Sequence, residues 1–415
     1  MSEYKNIGSF SKVRRGASPR PIGDPSFFGG NVGWVRISDV TQRNNKFLRN
    51  TQQYLSPLGE SKSLRVDSGD LIMSICATVG KPMIVDMPAC IHDGFVQIYD
   101  LKNADTEYLY YLLQFHEKDF EKRGQPGTQV NLNTIIVENE IVFMPGDIKK
   151  QQKIAKILTT IDQLIEKTQV LIDKHTAIKQ GMMADLFTRG IDLTTGQLRP
   201  LVEQAPHLYK ETELGWMPKD WKIDRLGNYT DICRGASPRP ISDPIYFGES
   251  EVGWVRISDV TKSKYYLKNT TQYLSPIGEA KSVRVYPGDL IMSICATVGK
   301  PVILAMDACI HDGFVLFSNY QDTFTKEFLL YWLAENEKTF INMGQPGTQV
   351  NLNTSLVGSL KTIIPSLDEQ KNIVEIIGVT NKKINNEEKL LKKLTLKKKG
   401  LMQDLLTGKV SVKEN

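Results

Sequence analysis

Most of the middle of this chain is written twice. Arg15-Gly16-Ala17-Ser18-Pro19-Arg20-Pro21-Ile22 returns as Arg234-Gly235-Ala236-Ser237-Pro238-Arg239-Pro240-Ile241. Gly33-Trp34-Val35-Arg36-Ile37-Ser38-Asp39-Val40-Thr41 returns as Gly253-Trp254-Val255-Arg256-Ile257-Ser258-Asp259-Val260-Thr261. The units of a solenoid recur at roughly 20 to 50 residues because none of them buries a core alone, and the interval here is about 220. A period this long predicts a duplicated domain, and 415 residues suffice for real cores. Two copies of one surface imply a partner with two equivalent sites.

Each repeat has two parts. In residues 1–148 and 213–367, short β-rich runs such as Leu71-Ile72-Met73-Ser74-Ile75 are punctuated by Gly, Pro, Asn and Asp, which predicts a mainly β globule with some helix around Glu107 to Lys122. The period then changes in residues 149–189. Ile154, Ile157, Leu158, Ile161, Leu164, Ile165, Thr168, Leu171, Ile172, His175, Ile178, Met182 and Leu186 follow a three-four spacing, the mark of one apolar stripe on a long helix. Residues 368–415 repeat it with Ile373, Ile376, Ile377, Ile384, Leu390, Leu391, Leu394, Leu401 and Leu405. About 35 residues at ~1.5 Å each give a helix of ~50 Å.

A small globule cannot cover such a stripe, so the two helices are predicted to pack on each other as a coiled coil. The antiparallel arrangement is favoured: the first helix carries the chain away from its own globule, and a short link, residues 190–212, enters the second globule there. The predicted class is therefore α+β, two mainly β globules joined by two long helices in an antiparallel coiled coil with pseudo-twofold symmetry.

Lys and Arg number 52 against 47 Asp and Glu, so a polyanion would be met by local patches rather than by the overall field. No run of 18 apolar residues occurs, and Met1-Ser2-Glu3-Tyr4-Lys5-Asn6 lacks a signal-peptide pattern, so a cytoplasmic chain without membrane attachment is expected. Of five cysteines, Cys76 and Cys90 match Cys295 and Cys309, while Cys233 stands alone. None has C-x-x-C spacing, which favours reduced thiols over metal ligands or disulfides.

The order globule, helix, globule, helix is accompanied by recognisable phrases: Glu213-Leu214-Gly215-Trp216-Met217-Pro218-Lys219-Asp220-Trp221 at the entry to the second globule, Gly-Asp-Leu-Ile-Met-Ser at Gly69 and Gly288, and the helix exits Met183-Ala184-Asp185-Leu186-Phe187-Thr188 and Met402-Gln403-Asp404-Leu405-Leu406-Thr407. Together, across essentially the whole chain, they resemble the specificity subunit of Type I restriction-modification systems. The resemblance implies that each globule is a target-recognition domain reading one short half-site of double-stranded DNA, and that the helices set the spacing and dock two methyltransferase subunits. It also implies that S-adenosylmethionine is bound by the methyltransferase, that ATP and Mg belong to a restriction or translocase motor subunit where one is present, and that this chain carries no cofactor. One departure stands out. The two recognition domains of the family are usually unlike, whereas these nearly match.

Candidate DNA-contacting residues are polar positions kept in both repeats that a core does not require. Gly124-Gln125-Pro126-Gly127-Thr128-Gln129-Val130-Asn131-Leu132-Asn133-Thr134 recurs unchanged as Gly344 to Thr354. Its Gln125, Thr128, Gln129 and Asn131, with Gln345, Thr348, Gln349 and Asn351, include side chains able to pair bidentately with adenine, while threonine suits phosphate or a thymine methyl. A structural turn with Asx-type hydrogen bonds is the other reading. Arg15, Arg20, Arg36 and Lys81, with Arg234, Arg239, Arg256 and Lys300, form a basic footprint that fits guanine or phosphate equally well. Lys62, Arg65, Lys281 and Arg284 are also retained. Ser38 and Thr41, with Ser258 and Thr261, follow a strand-like run and are within reach of a base edge. Asp39 either accepts from a base or caps a turn, and Trp34 and Trp254 read as core.

His92-Asp93 and His311-Asp312 tempt a catalytic reading, but neighbours in a strand point to opposite faces. No Asn-Pro-Pro-Tyr phrase, Gly-Lys-Ser/Thr phosphate loop or H-E-x-x-H metal site occurs. The expectation is a non-catalytic reader without a metal. The last helix is lysine-rich, with Lys382, Lys383, Lys389, Lys392, Lys393 and Lys397 to Lys399, which is either a solvated surface or a phosphate or partner contact. The competing functional class is a non-catalytic two-domain scaffold that binds a protein or a glycan.

Overall fold

The computed structural model describes residues 3–41, 46–123, 131–248, 252–344 and 351–412. It divides into two compact units, Met1–Leu171 with Glu387–Asn415, and Ile172–Asn386. Each unit combines the β-rich part of one repeat with segments of both long helices.

In the first unit a five-stranded sheet runs in the order Lys12–Arg15, Phe95–Tyr99, Leu71–Ser74, Pro82–Val85, Phe47–Leu48, and a four-stranded sheet in the order Gln53–Leu55, Phe28–Val35, Ala89–Ile91, Leu64–Val66. Pairing is antiparallel except at Phe47–Leu48 on Pro82–Val85 and Phe28–Val35 on Ala89–Ile91. Leu71–Ser74 and Pro82–Val85 are buried along their whole length. That is why they read as continuous apolar runs rather than as an alternation. Helix Thr106–Phe115 covers the five-stranded sheet and starts where the Asp105 side chain accepts from Tyr108 N. The second unit repeats the plan, with Asp231–Arg234, Phe314–Ser318, Leu290–Ser293, Pro301–Leu304 and Tyr266–Leu267 as its larger sheet.

The long helices are Ile148–Thr188, of 41 residues, and Leu367–Leu406, of 40 residues. They exceed the expected 35 because helix starts well before the stripe, where the Asp147 side chain accepts from Lys149 N. A buried glutamine anchors each start. Gln151 accepts from Asp105 N at 2.8 Å and donates to Asn103 O and Pro145 O. Gln370 accepts from Thr325 N and donates to Thr323 O and Pro365 O. Within each unit the two helix segments run antiparallel. In the first, Asp162 pairs with Lys398 at 2.7 Å, and Ile154 and Leu158 share a core with Met402 and Leu405. In the second, Met182 meets Thr380, and the Ile191 N–H meets Glu369.

The stripe is narrower than the sequence implies. Ile154, Leu158, Ile161, Ile165, Thr168, Ile172, His175, Lys179 and Met182 alternate steps of four and three and are buried or half-buried. Leu164, Leu171, Ile178 and Leu390, which the spacing also assigned to the stripe, are 41–49% exposed. A coiled-coil seam covers only about two of every seven positions, so their neighbours remain on the outside.

Lys398 and Lys179 occupy matching positions in the two repeats but meet different surroundings. Lys398 lies over the Tyr111 ring and pairs with Asp162. Lys179 lies over the Tyr265 ring and donates to its hydroxyl, and the place of Asp162 is taken by Asn381, which donates to the Tyr331 hydroxyl. Burial, followed by repulsion from Lys264, pushes the Lys179 amine down to about 8.

The link between the repeats is ordered. Hairpins Ile191–Asp192 with Gln197–Leu198 and Tyr209–Thr212 with Gly215–Pro218 lead into the second domain. Arg199 fastens them to the second long helix through Glu369.

Candidate nucleic-acid interface

The retained segments of each repeat meet at one edge. Strand Lys12–Arg15 pairs with Phe95–Tyr99, so the chain leaving Arg15 runs beside His92 and Asp93. Gly16 is required there, because a Cβ at this position would lie 2.2 Å from His92 O. Asp93 then organises two arginines. Its carbonyl accepts from Arg15 Nε at 2.6 Å, and its carboxylate accepts from the Ser18 hydroxyl at 2.6 Å and Arg20 Nη2 at 3.0 Å. The second repeat builds the same set around Asp312, with Arg234 Nε on its carbonyl at 2.7 Å and Ser237 and Arg239 on its carboxylate at 2.7 and 2.8 Å. These contacts hold both carboxyls below their usual range, the serine hydroxyl contributing most.

Arg36 lies close enough for its charge to bear on His92, and it donates to Gln53 Oε1 at 3.1 Å; Arg256 does the same with His311 and Gln272. Asn131 forms a bridge with Cys76, and Asn351 with Cys295. In the second unit Arg234, His311, Asp312 and Asn351 line one open cleft of about 520 Å³. The arginines of the sequence footprint are all exposed. Lys81 is half-buried near Glu117, and Lys300 donates to Thr261 O at 3.0 Å. The Thr41 and Thr261 hydroxyls donate to Ile37 O and Ile257 O in their own helices, Ser38 is half-buried and Ser258 exposed. Gln125, Thr128, Gln129, Gln345, Thr348 and Gln349 lie outside the described residues.

Several retained residues are structural. Asp39 is buried and accepts from Arg36 N and Gln52 N, and Asp259 from Arg256 N and Thr271, so both are caps. Trp34 and Trp254 are core residues. Cys90 and Cys309 are buried, which pushes their thiols up to about 11. Sequence reasoning missed Asp93 and Asp312 as positioning residues. The available signal was their retention beside the Arg-Gly-Ala-Ser-Pro-Arg phrase, but their partners lie 73 and 75 positions away.

His92 packs against Trp34 and Phe95, and its Nδ1 accepts from Gly94 N at 2.7 Å; His311 accepts from Gly313 N at 2.8 Å. Burial lowers both imidazoles below 6.5. The unfolded chain therefore binds more protons than the folded one between 6.5 and the folded values. Stability is complete above about 6.5 and is lost as the pH falls through that interval. Denaturant midpoints between pH 7.5 and 5 are expected to decline, and less steeply in H92N/H311N. An equally steep decline in that variant would place the linkage elsewhere.

Among the described residues, His116, Asp119 and Glu140 are the set with metal-ligand spacing, their ligand atoms within 4.8 Å. Arg123 already supplies a cation to Glu140 at 2.7 Å. The second repeat has Asn336, Thr339, Met343 and Leu360 at these four positions. The charges come and go as a group, as in an ion-pair network. Among the described residues no helix is long and apolar enough to cross a membrane.

Residues 2–174 and 218–396 match the family model described as the Type I restriction modification DNA specificity domain. The Type I restriction enzyme MjaVIII specificity subunit of Methanocaldococcus jannaschii is 25% identical over 437 residues, covering 99% of this chain and 93% of that protein. The putative type I restriction enzyme MjaX specificity subunit of the same organism is 27% identical over 318 residues, 74% of this chain and 68% of that protein. The fold is similar to that of the S subunit of a Type I restriction-modification system from M. genitalium, with a TM-score of 0.59 at 14% identity over 98% of this chain and 96% of that one. With the model matched twice, each time over a β-rich domain and much of the long helix that follows it, the chain belongs to the family of Type I restriction modification DNA specificity domains.

Proposed function

We propose that this chain is the DNA-reading subunit of a Type I restriction-modification system and directs methyltransferase partners to a bipartite target. The observation that carries this reading is the arginine cluster on Asp93, assembled again on Asp312 from segments that are unchanged between the repeats. Charged forks fixed on an exposed edge suit phosphates and guanine edges. A scaffold for a protein or glycan would not need the same cationic edge twice. Arg15, Arg20, Arg36, Lys81 and Asn131, with their second-repeat counterparts, are the proposed contacts, joined by Ser38, Thr41, Ser258, Thr261 and the glutamine and threonine residues of the retained loop.

The chain acts in the cytoplasm and carries no catalytic step. Two methyltransferase subunits supply S-adenosylmethionine chemistry, and a motor subunit, where present, supplies ATP and Mg. Two matching faces applied to opposite strands read the same bases twice, so the target is an interrupted palindrome. Mapping methylated sites in the native cell tests this. Two half-sites of unrelated sequence would refute it.

A further inference from the structure

Among the described residues, positive φ outside glycine occurs at Asp100, Asn103 and Asn319, and at Ala77 (60°) and Ala296 (58°). Asn and Asp visit the left-handed region because their side chains bond locally, whereas an alanine Cβ crowds the following carbonyl. Glycine would adopt the conformation without that clash. Both repeats nevertheless keep alanine, in the identical phrase Ile75-Cys76-Ala77-Thr78-Val79-Gly80-Lys81 and Ile294-Cys295-Ala296-Thr297-Val298-Gly299-Lys300.

The surrounding structure imposes the conformation. Ile75 N donates to Gly94 O at 2.8 Å, Leu132 N to Ile75 O at 2.8 Å and Gly80 N to Ser74 O at 2.8 Å, while the Ser74 hydroxyl donates to Thr78 O. The second repeat has the same bonds from Ile294, Leu352, Gly299 and Ser293. Both alanines are exposed, so their methyl groups do not fill a core. Each follows a cysteine whose backbone makes a β-bridge with Asn131 or Asn351 and which lies close enough to feel the charges of Asp93 and Arg15, or Asp312 and Arg234. An exposed side chain that strains its backbone points to a use outside the core.

We propose that Ala77 and Ala296 are specificity-determining residues, each placing its methyl group against the 5-methyl group of a thymine in one half-site. Apolar contact to this methyl is a direct way to distinguish T·A from the other pairs in the major groove. The inference rests on the proposed reading of duplex DNA.

The test uses the full chain and its A77G/A296G variant, with the mapped target duplex and a series in which each thymine is replaced in turn by deoxyuridine, which lacks the methyl. The variant is expected to melt at the same temperature or a few degrees higher, since glycine relieves the left-handed residues. It should bind the target about fourfold more weakly per half-site, the equivalent of one buried methyl. One deoxyuridine position in each half-site should weaken the original chain by about the same factor and the variant not at all, the signature of direct coupling. Unchanged binding by the variant, a loss without coupling to any deoxyuridine, or a clear fall in melting temperature would each overturn the assignment. Failure of the original chain to bind any duplex would instead remove the DNA reading, and this inference with it.

Discussion

Arg199→Leu should cost the unit Ile172–Asn386 about 3–5 kcal/mol, the usual penalty for stripping a buried charge of its partner. Glu369 is 1% exposed and sits in the first turn of the second long helix. Both its oxygens accept from the Arg199 guanidinium, and it also accepts from Trp221 Nε1 at 3.0 Å and Ile191 N at 2.7 Å. Without the arginine, only neutral donors remain for a carboxylate that water cannot reach. Arg199→Lys should fall between, because an ammonium restores the charge but not the two-pronged fork. Asp220, which meets Arg199 at 2.9 Å from a largely exposed position, should contribute little, and Asp220→Ala serves as the control. Chemical denaturation measures these differences. A change below about 1 kcal/mol for Arg199→Leu would show that Glu369 is stabilised by other means.

Replacing Arg20 and Arg239 together with alanine is expected to weaken specific duplex binding by about 1.5 to 4 orders of magnitude if each makes a base contact worth ~1–3 kcal/mol, and by less if the two are phosphate contacts. Both side chains are exposed and each makes its ion pair with a carboxylate that keeps its serine partner, so the fold should survive. The two origins are separable. Phosphate contacts would reduce the salt slope by about two without changing the target, whereas base contacts would relax one position in each half-site. Asp93→Asn with Asp312→Asn should give a smaller loss, because the arginines remain but are no longer held in place. Unaltered affinity and target in the arginine variant would take both residues off the DNA.

Asp93 shows why the site was only partly legible. The retained arginines announce a basic footprint in the sequence, but their arrangement depends on Asp93, 78 positions from Arg15 and 73 from Arg20, which strand pairing brings alongside. The cap role of Asp39 was one of two open readings, and the structure selects it because the carboxylate is buried against Arg36 N and Gln52 N. The strained Ala77 carried no signal at all. An alanine in a loop has no sequence mark of positive φ, which here is imposed where the preceding Ile75 donates to Gly94 O and accepts from Leu132 N.

Features set by short-range periodicity and by repetition were readable along the chain. The duplication, the two β-rich domains and the long helices follow from repetition and spacing, since a period of two or of three and a half is a local geometric property. Which positions of a helix are covered is different, because the partner surface makes that choice. Leu164 and Ile178 belong to the stripe by spacing yet face outward, while Lys179 lies half inside. Lys179 and Lys398 match in sequence, but one amine is buried over Tyr265 and pushed down while the other is paired with Asp162. A charge takes its energy from whatever packing brings within a few ångströms, and no pattern along one helix contains that neighbour.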